Sequence, residues 1–265
     1  MDISKFLPEE CLAHIISLTS PQDACRSALV SHNFQSAADS DAVWKRFLPS
    51  NYLEIISSTT ASSYSQLTSL SKKELYFHLC NNPILINNGM MSFALEKQNG
   101  KTCYMIGARG LSIMWGHTPD YWNWKSLPDQ SRFSEVAVLR VVWWLDIKWR
   151  IEAKNLSPKT TYAAYLVFKF PIFRHGFDMR PVKLGVHLEG SEVGVTRSVL
   201  LDPPANMHRW PLEREDGWME IEMGEFYNDK EGDGNIVCSV SEADSHNPKH
   251  GIIIEGIELR PKDGK

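Results

Sequence analysis

Leu7-Pro8-Glu9, then Ser20-Pro21-Gln22-Asp23, then Trp44-Lys45-Arg46-Phe47-Leu48-Pro49 set the pattern of the opening fifty residues. Pro8 suits the first position of a helix, where a backbone N–H has no partner anyway. Glu9 and Glu10 face the positive end of that helix's dipole. Leu12, Ile15 and Ile16 then share one face at spacings of three and four. Ser20, with Pro21 just inside and Asp23 three residues on, starts a second helix. Cys25, Ala28 and Leu29 continue its apolar face. Asp39 or Ser40 can cap a third helix carrying Val43, Trp44 and Phe47. Three helices this short cannot bury so much apolar surface alone. The surplus packs either on the rest of the chain or on another protein.

The combined segments resemble an F-box, a small helical module that docks on the Skp-type adaptor of a cullin ubiquitin ligase. The resemblance implies that Leu7, Pro8, Ile15, Leu29, Val30 and Trp44 lie at or near the adaptor interface. A large aromatic such as Trp44 is the kind of residue that dominates such contacts. An F-box does no chemistry, so the remainder of the chain is expected to capture a target.

At 265 residues the length suits two domains. With 43% hydrophobic and 23% charged residues and a net charge of −4, the composition is that of a globular chain with no footprint for nucleic acid or anionic membranes. No signal peptide is evident. The most apolar run, Val136 to Ile147, is short and is broken by Arg140 and Asp146, so it does not span a bilayer. Five cysteines without a CxxC pair read as reduced thiols, which suits the cytoplasm or nucleus. The sequon Asn155-Leu156-Ser157 then reads as chance.

Residues 57–71 are dominated by Ser and Thr and read as a loop or linker. Ser71-Lys72-Lys73-Glu74 is a capping box opening a helix through Leu75, Tyr76 and Leu79. From about residue 90 the period changes to two. Val182, Leu184, Val186 and Leu188 alternate with polar residues, as do Met219, Ile221 and Met223. Tyr162–Phe170 reads as a longer strand. In the last segment Ile252 and Ile254 have one parity and Ile257 and Leu259 the other, which predicts a bulge near Gly256. The expected class is α+β: an F-box over 1–50, a Ser-rich linker and bridging helix over 51–88, and an antiparallel sandwich over 89–262.

Four further segments, Gly107–Trp122, Val136–Ile147, Trp218–Phe226 and Gly251–Pro261, resemble the plant phloem protein 2 family, which includes the Nictaba lectin. An F-box ahead of this domain is similar to the family's F-box branch. The resemblance implies a jelly-roll-like sandwich and, for some members, binding of N-acetylglucosamine oligomers or N-glycans. It further implies sugar contact at Trp115 and Trp122, seven positions apart, and an acidic contact at Glu242, with Asp244 and Glu255 as weaker matches. His117, Asp120, Tyr121 and Trp124 could add contacts, and Lys169–Arg180 could shape the rim. His246–His250 departs from the lectin pattern.

Other readings stay beside these. Trp115 and Trp122 could be core, Glu242 could be a solvated strand-end carboxylate, and Trp143, Trp144 and Trp149 read as core from their apolar surroundings. His246 and His250 lack a helix and a third ligand, so no metal is expected. No nucleophile–histidine–acid signature is evident, so no catalytic residue and no cofactor are expected. The expected role is a non-catalytic receptor of the ligase. Its target is a glycan or glycoprotein, or alternatively a protein surface read by a sandwich that has lost sugar binding.

Overall fold

The computed structural model describes residues 7–190, 194–204, 211–229, 234–243 and 246–262. Asp244 lies outside them. The chain divides into two compact units, one running to Asn88 with Phe93–Cys103, the other comprising Gly89–Ser92 and Tyr104 onward.

The first unit is helical, with α1 (Glu9–Ser17), α2 (Pro21–Ser27), α3 (His32–Asp39), α4 (Asp41–Phe47), α5 (Tyr52–Ser57), α6 (Ala61–Ser69) and α7 (Lys72–Asn81). The short strands β1 (Ile84–Ile86) and β2 (Met91–Leu95) come next. The start signals work as expected. Ser20 accepts from the Asp23 amide, Ser40 from that of Ala42, and Ser71 and Glu74 close a reciprocal capping box. Three helices depart from expectation, α3, α5 and α6. Ser31 caps α3, whose inner face is only Ala37 and Ala38, too small to give a strong periodic signal. The Ser-rich stretch expected as a loop forms α6. Its hydroxyls bond back to its own carbonyls, Thr68 to Tyr64 at 2.9 Å and Ser69 to Gln66 at 2.7 Å, while Leu67 is buried.

Trp44 is the centre of this unit. Its indole N–H donates to the Ala38 carbonyl at 2.7 Å, and Phe47, Tyr76 and Phe77 surround its ring at 5.1–5.6 Å. It is 0% exposed. The tryptophan expected at the adaptor face therefore offers no surface, because α7 covers it.

The second unit contains β3 (Thr102–Gly107) from Tyr104 onward, followed by β4 (Ser112–Ile113), β5 (Trp122–Lys125), β6 (Val136–Leu139) and β7 (Leu145–Glu152). Then come β8 (Thr160–Lys169), β9 (Val182–Leu188), β10 (Gly194–Val199), β11 (Leu212–Glu213), β12 (Met219–Asn228), β13 (Asn235–Glu242) and β14 (Ile253–Pro261). They form an antiparallel sandwich. One sheet runs β3-β14-β8-β12-β11, with β6 also on β14 and β5 on β6; the other runs β10-β9-β13-β7-β4. Along β14 the register with β8 shifts between Ile254 and Gly256, the bulge that the parity switch predicted. Its first residues pair with β6 and its later ones with β3.

The bulged residue, Glu255, is buried and accepts from the Ser131 hydroxyl at 2.9 Å. Burial raises its carboxyl pKa above the ordinary 4.5. A raised pKa means that its stability contribution is full below 4.5 and is lost as pH rises through the raised value. Glu255→Gln keeps an oxygen for Ser131 and removes the charge. Its melting temperature should match that of the parent chain at pH 4 and equal or exceed it at pH 7. Trp44→Ala should cost about 3–5 kcal/mol of the helical unit's stability, read by urea unfolding of its circular dichroism.

Candidate binding cleft

Two loops at one end of the sandwich meet in an aromatic cleft. The first connects β4 to β5. Its Trp115 has φ +55°, the left-handed region that ordinary residues avoid. Two indoles beneath hold it there. Trp122 Nε1 donates to the Met114 carbonyl at 3.2 Å and Trp124 Nε1 to the Gly116 carbonyl at 2.9 Å, so the carbonyls on both sides of Trp115 are pinned. The Thr118 amide closes the turn onto the Trp115 carbonyl at 2.9 Å.

The second loop connects β6 to β7 and carries Val142, Trp143 and Trp144. Arg140 ties the two loops together: its amide donates to the Tyr121 carbonyl at 2.8 Å and its guanidinium to the Pro119 carbonyl at 3.1 Å. Trp115, Tyr121, Val142, Trp143 and Trp144 line a cleft of about 250 Å³. The Trp115 and Trp144 rings lie within 14° of parallel with centroids 6.5 Å apart, and Tyr121 is 5.3 Å from Trp115.

The expected site residues separate here. Trp115, 39% exposed, lines the cleft. Trp122, 2% exposed, supports the cleft from beneath. Glu242 is buried at the end of β13, on the same parity as Ile236, Cys238 and Val240, and pairs with the fully buried Lys249. It is not a solvated strand end. Glu255 sits at the bulge, with its Oε1 taken by Ser131. Tyr121 joins the cleft, whereas Trp124 is a prop. The core assignment holds for Trp149 but not for Trp143 or Trp144, which are 48% and 52% exposed. They lie in a turn, outside the alternating strand beside it. That adjacent pair is the feature sequence reasoning missed.

The described lining carries no thiol, imidazole or carboxylate side chain. Within the sandwich, burial pushes the Cys238 thiol up to about 12, far from a reactive thiolate. Among the described residues no cluster of His, Cys, Asp or Glu could hold a metal ion. What the cleft offers is flat aromatic surface, suited to the C–H face of a sugar ring or to an apolar side chain.

On the helical unit, Ile15, Leu18, Leu29 and Val30 are exposed, Leu29 by 86%. Pro8 is exposed and Leu7 half-buried. Leu18 is the addition to the expected set.

A phloem protein 2 family model matches residues 101–261, and an F-box-like model matches residues 5–50. The chain belongs to the phloem protein 2 family. Among its relatives, an Arabidopsis thaliana F-box protein is 45% identical over 262 residues, covering 96% of this chain and 79% of the relative. Arabidopsis thaliana F-box protein PP2-B10 is 43% identical over 260 residues, covering 96% of this chain and 92% of its own. A family 35 carbohydrate binding module from Clostridium thermocellum is 12% identical with a TM-score of 0.33, covering 59% of this chain and 96% of the module. That likeness is too distant to bear on function. Within this family member, the two expected sugar tryptophans should behave differently on truncation. Trp122→Ala should cost the sandwich about 3–5 kcal/mol. Trp115→Ala should change its stability by less than about 1 kcal/mol. Thermal unfolding of the two variants would separate surface from support.

Proposed function

We propose that this protein is the substrate receptor of a cullin ubiquitin ligase, with a lectin-like sandwich that selects the target. The exposed Ile15, Leu18, Leu29 and Val30, with Leu7 and Pro8 ahead of α1, form the face for a Skp-type adaptor. Trp44 stiffens that face from within. The sandwich holds a sugar of an N-glycan, or an N-acetylglucosamine oligomer, on Trp115, Trp143 and Trp144. The observation that carries this reading is the preformed aromatic cleft. The receptor performs no bond chemistry. It holds the target near the charged ubiquitin carrier, so transfer gains from effective concentration. Such a role places the protein in the cytoplasm or nucleus; no helix among the described residues is long and apolar enough to cross a membrane.

One observation favours a second reading, in which the same cleft takes a protein side chain. Its lining contains no carboxylate or amide side chain, and the nearby Glu242 is committed to Lys249. Sugar hydroxyls would have to find partners at the rim.

The test is a glycan array with the full chain, beside Trp115→Ala and Trp144→Ala. Saturable binding to chitin oligomers or N-glycans, weakened at least about tenfold in both folded variants, is the expected result. A blank array from folded protein makes the side-chain reading the better one. In parallel, a Leu29→Asp, Val30→Asp double variant should lose co-purification with the adaptor while keeping glycan binding.

A further inference from the structure

The Trp143–Trp144 wall rests on a buried charge. Lys249 is 0% exposed, and its ammonium meets three acceptors: the Glu242 carboxylate, the Trp143 carbonyl at 2.8 Å and the Asn247 carbonyl at 2.7 Å. An ammonium has three hydrogens, so this one is fully satisfied. The backbone joins in. Val142 and Lys249 exchange both of their amide bonds, at 3.0 and 2.7 Å. One residue beyond Glu242, the Ala243 carbonyl receives the Trp144 indole N–H at 2.9 Å. Trp143 is thus tied to Lys249 directly, and Trp144 to Ala243, the residue that follows Glu242.

Stability alone is a poor reason for such a pair. Two buried charges rarely outperform two apolar side chains of similar volume, because desolvating them cancels most of their attraction. An apolar pair, however, could not donate to the Trp143 carbonyl, which faces inward while its ring stands out in water. We infer that Lys249, with Glu242 as its counter-ion, is a positioning residue: it holds Trp143 and Trp144 in the geometry on which a ligand stacks. Such preorganisation spares the ligand the cost of ordering two large side chains. Glu242 then acts without touching ligand. The inference rests on the cleft being the binding site, but its effect on the indoles can be read without any ligand.

Three variants of the full chain decide the matter. Lys249→Met alone strands a buried carboxylate and should lower the melting temperature by roughly 10 °C. The double variant Glu242→Leu, Lys249→Met removes both charges and should melt within a few degrees of the parent chain. Glu242→Gln keeps an oxygen acceptor for the ammonium but removes its counter-ion, so it too should melt below the parent chain; it serves where the double variant does not fold. The readouts are the Trp144 indole N–H signal in nitrogen-15 NMR, assigned with Trp144→Phe, and affinity for chitotriose. In the double variant the indole signal should move and exchange faster, and chitotriose should bind about tenfold more weakly. Glu242→Gln should leave the indole signal near its original position. A folded double variant with unchanged indole signal overturns the inference, as does a folded Glu242→Gln that loses the signal. If the parent chain does not bind chitotriose, the glycan reading fails on its own, and the indole signals still decide the role of Lys249.

Discussion

Strand β14 can hold the middle of its sheet only because position 256 has no side chain. A Cβ there would stand 1.9 Å from the Ile106 carbonyl oxygen, inside any possible contact. Gly107 lies directly opposite, and a Cβ on it would enter the Phe133 ring at 2.6 Å. Two facing glycines therefore let β3 and β14 close up while Phe133 covers them. Phe133 in turn belongs to the core cluster with Met105, Val136, Val167 and Trp218. The bulge at Glu255 sits immediately before this contact. It lets a single strand serve β6 with its first half and β3 with its second, while keeping β8 along its whole length.

That register also builds the cleft. Leu139 donates to the Ile252 carbonyl at 2.9 Å, and Gly251 donates to that of Leu139 at 3.1 Å. The chain entering β14 must therefore run beside the chain leaving β6. Lys249 consequently falls next to Val142, under the tryptophans that follow it. Gly251, at φ +79°, also lets the Phe173–Arg174 backbone close against this segment, since a Cβ there would lie 2.3 Å from the Phe173 carbonyl oxygen.

Much of the fold was legible because hydrophobic alternation and capping chemistry are local. Val182–Leu188 reads as a strand and is one; the parity switch around Gly256 locates a real bulge. The α+β class follows from such local patterns, whereas the family resemblance rests on whole segments such as Gly107–Trp122 and Gly251–Pro261. The site was less legible because exposure depends on partners distant in sequence. Trp115 and Trp122 are equally aromatic and only seven residues apart, yet one is displayed and the other supports it. Two signals were present and unused. Adjacent strand residues face opposite ways, so Trp143 and Trp144 could not both enter one core from a regular strand. Glu242 continues the inward parity of Ile236, Cys238 and Val240, which argues for burial. Nothing local identifies Lys249 as its partner. The burial of Trp44 was hidden for the same reason, because α7, whose Tyr76 and Phe77 cover it, begins nearly thirty residues later.

The size of the cleft limits what the proposed receptor asks of it. About 250 Å³ holds a group the size of one ring, below the range of pockets that engulf a whole small molecule. Stacking on two or three aromatics yields modest affinity, because binding must also repay lost translation and rotation. A freely diffusing lectin would compensate by multiplying its sites. A receptor clamped to a ligase has another course, since ubiquitin transfer needs the target held only as long as one transfer takes, and linkage to the adaptor supplies high local concentration of the carrier. A shallow and largely apolar cleft fits that demand. Trp122, Trp124 and Lys249 each donate to a backbone carbonyl of its loops, which holds the lining in place before anything binds.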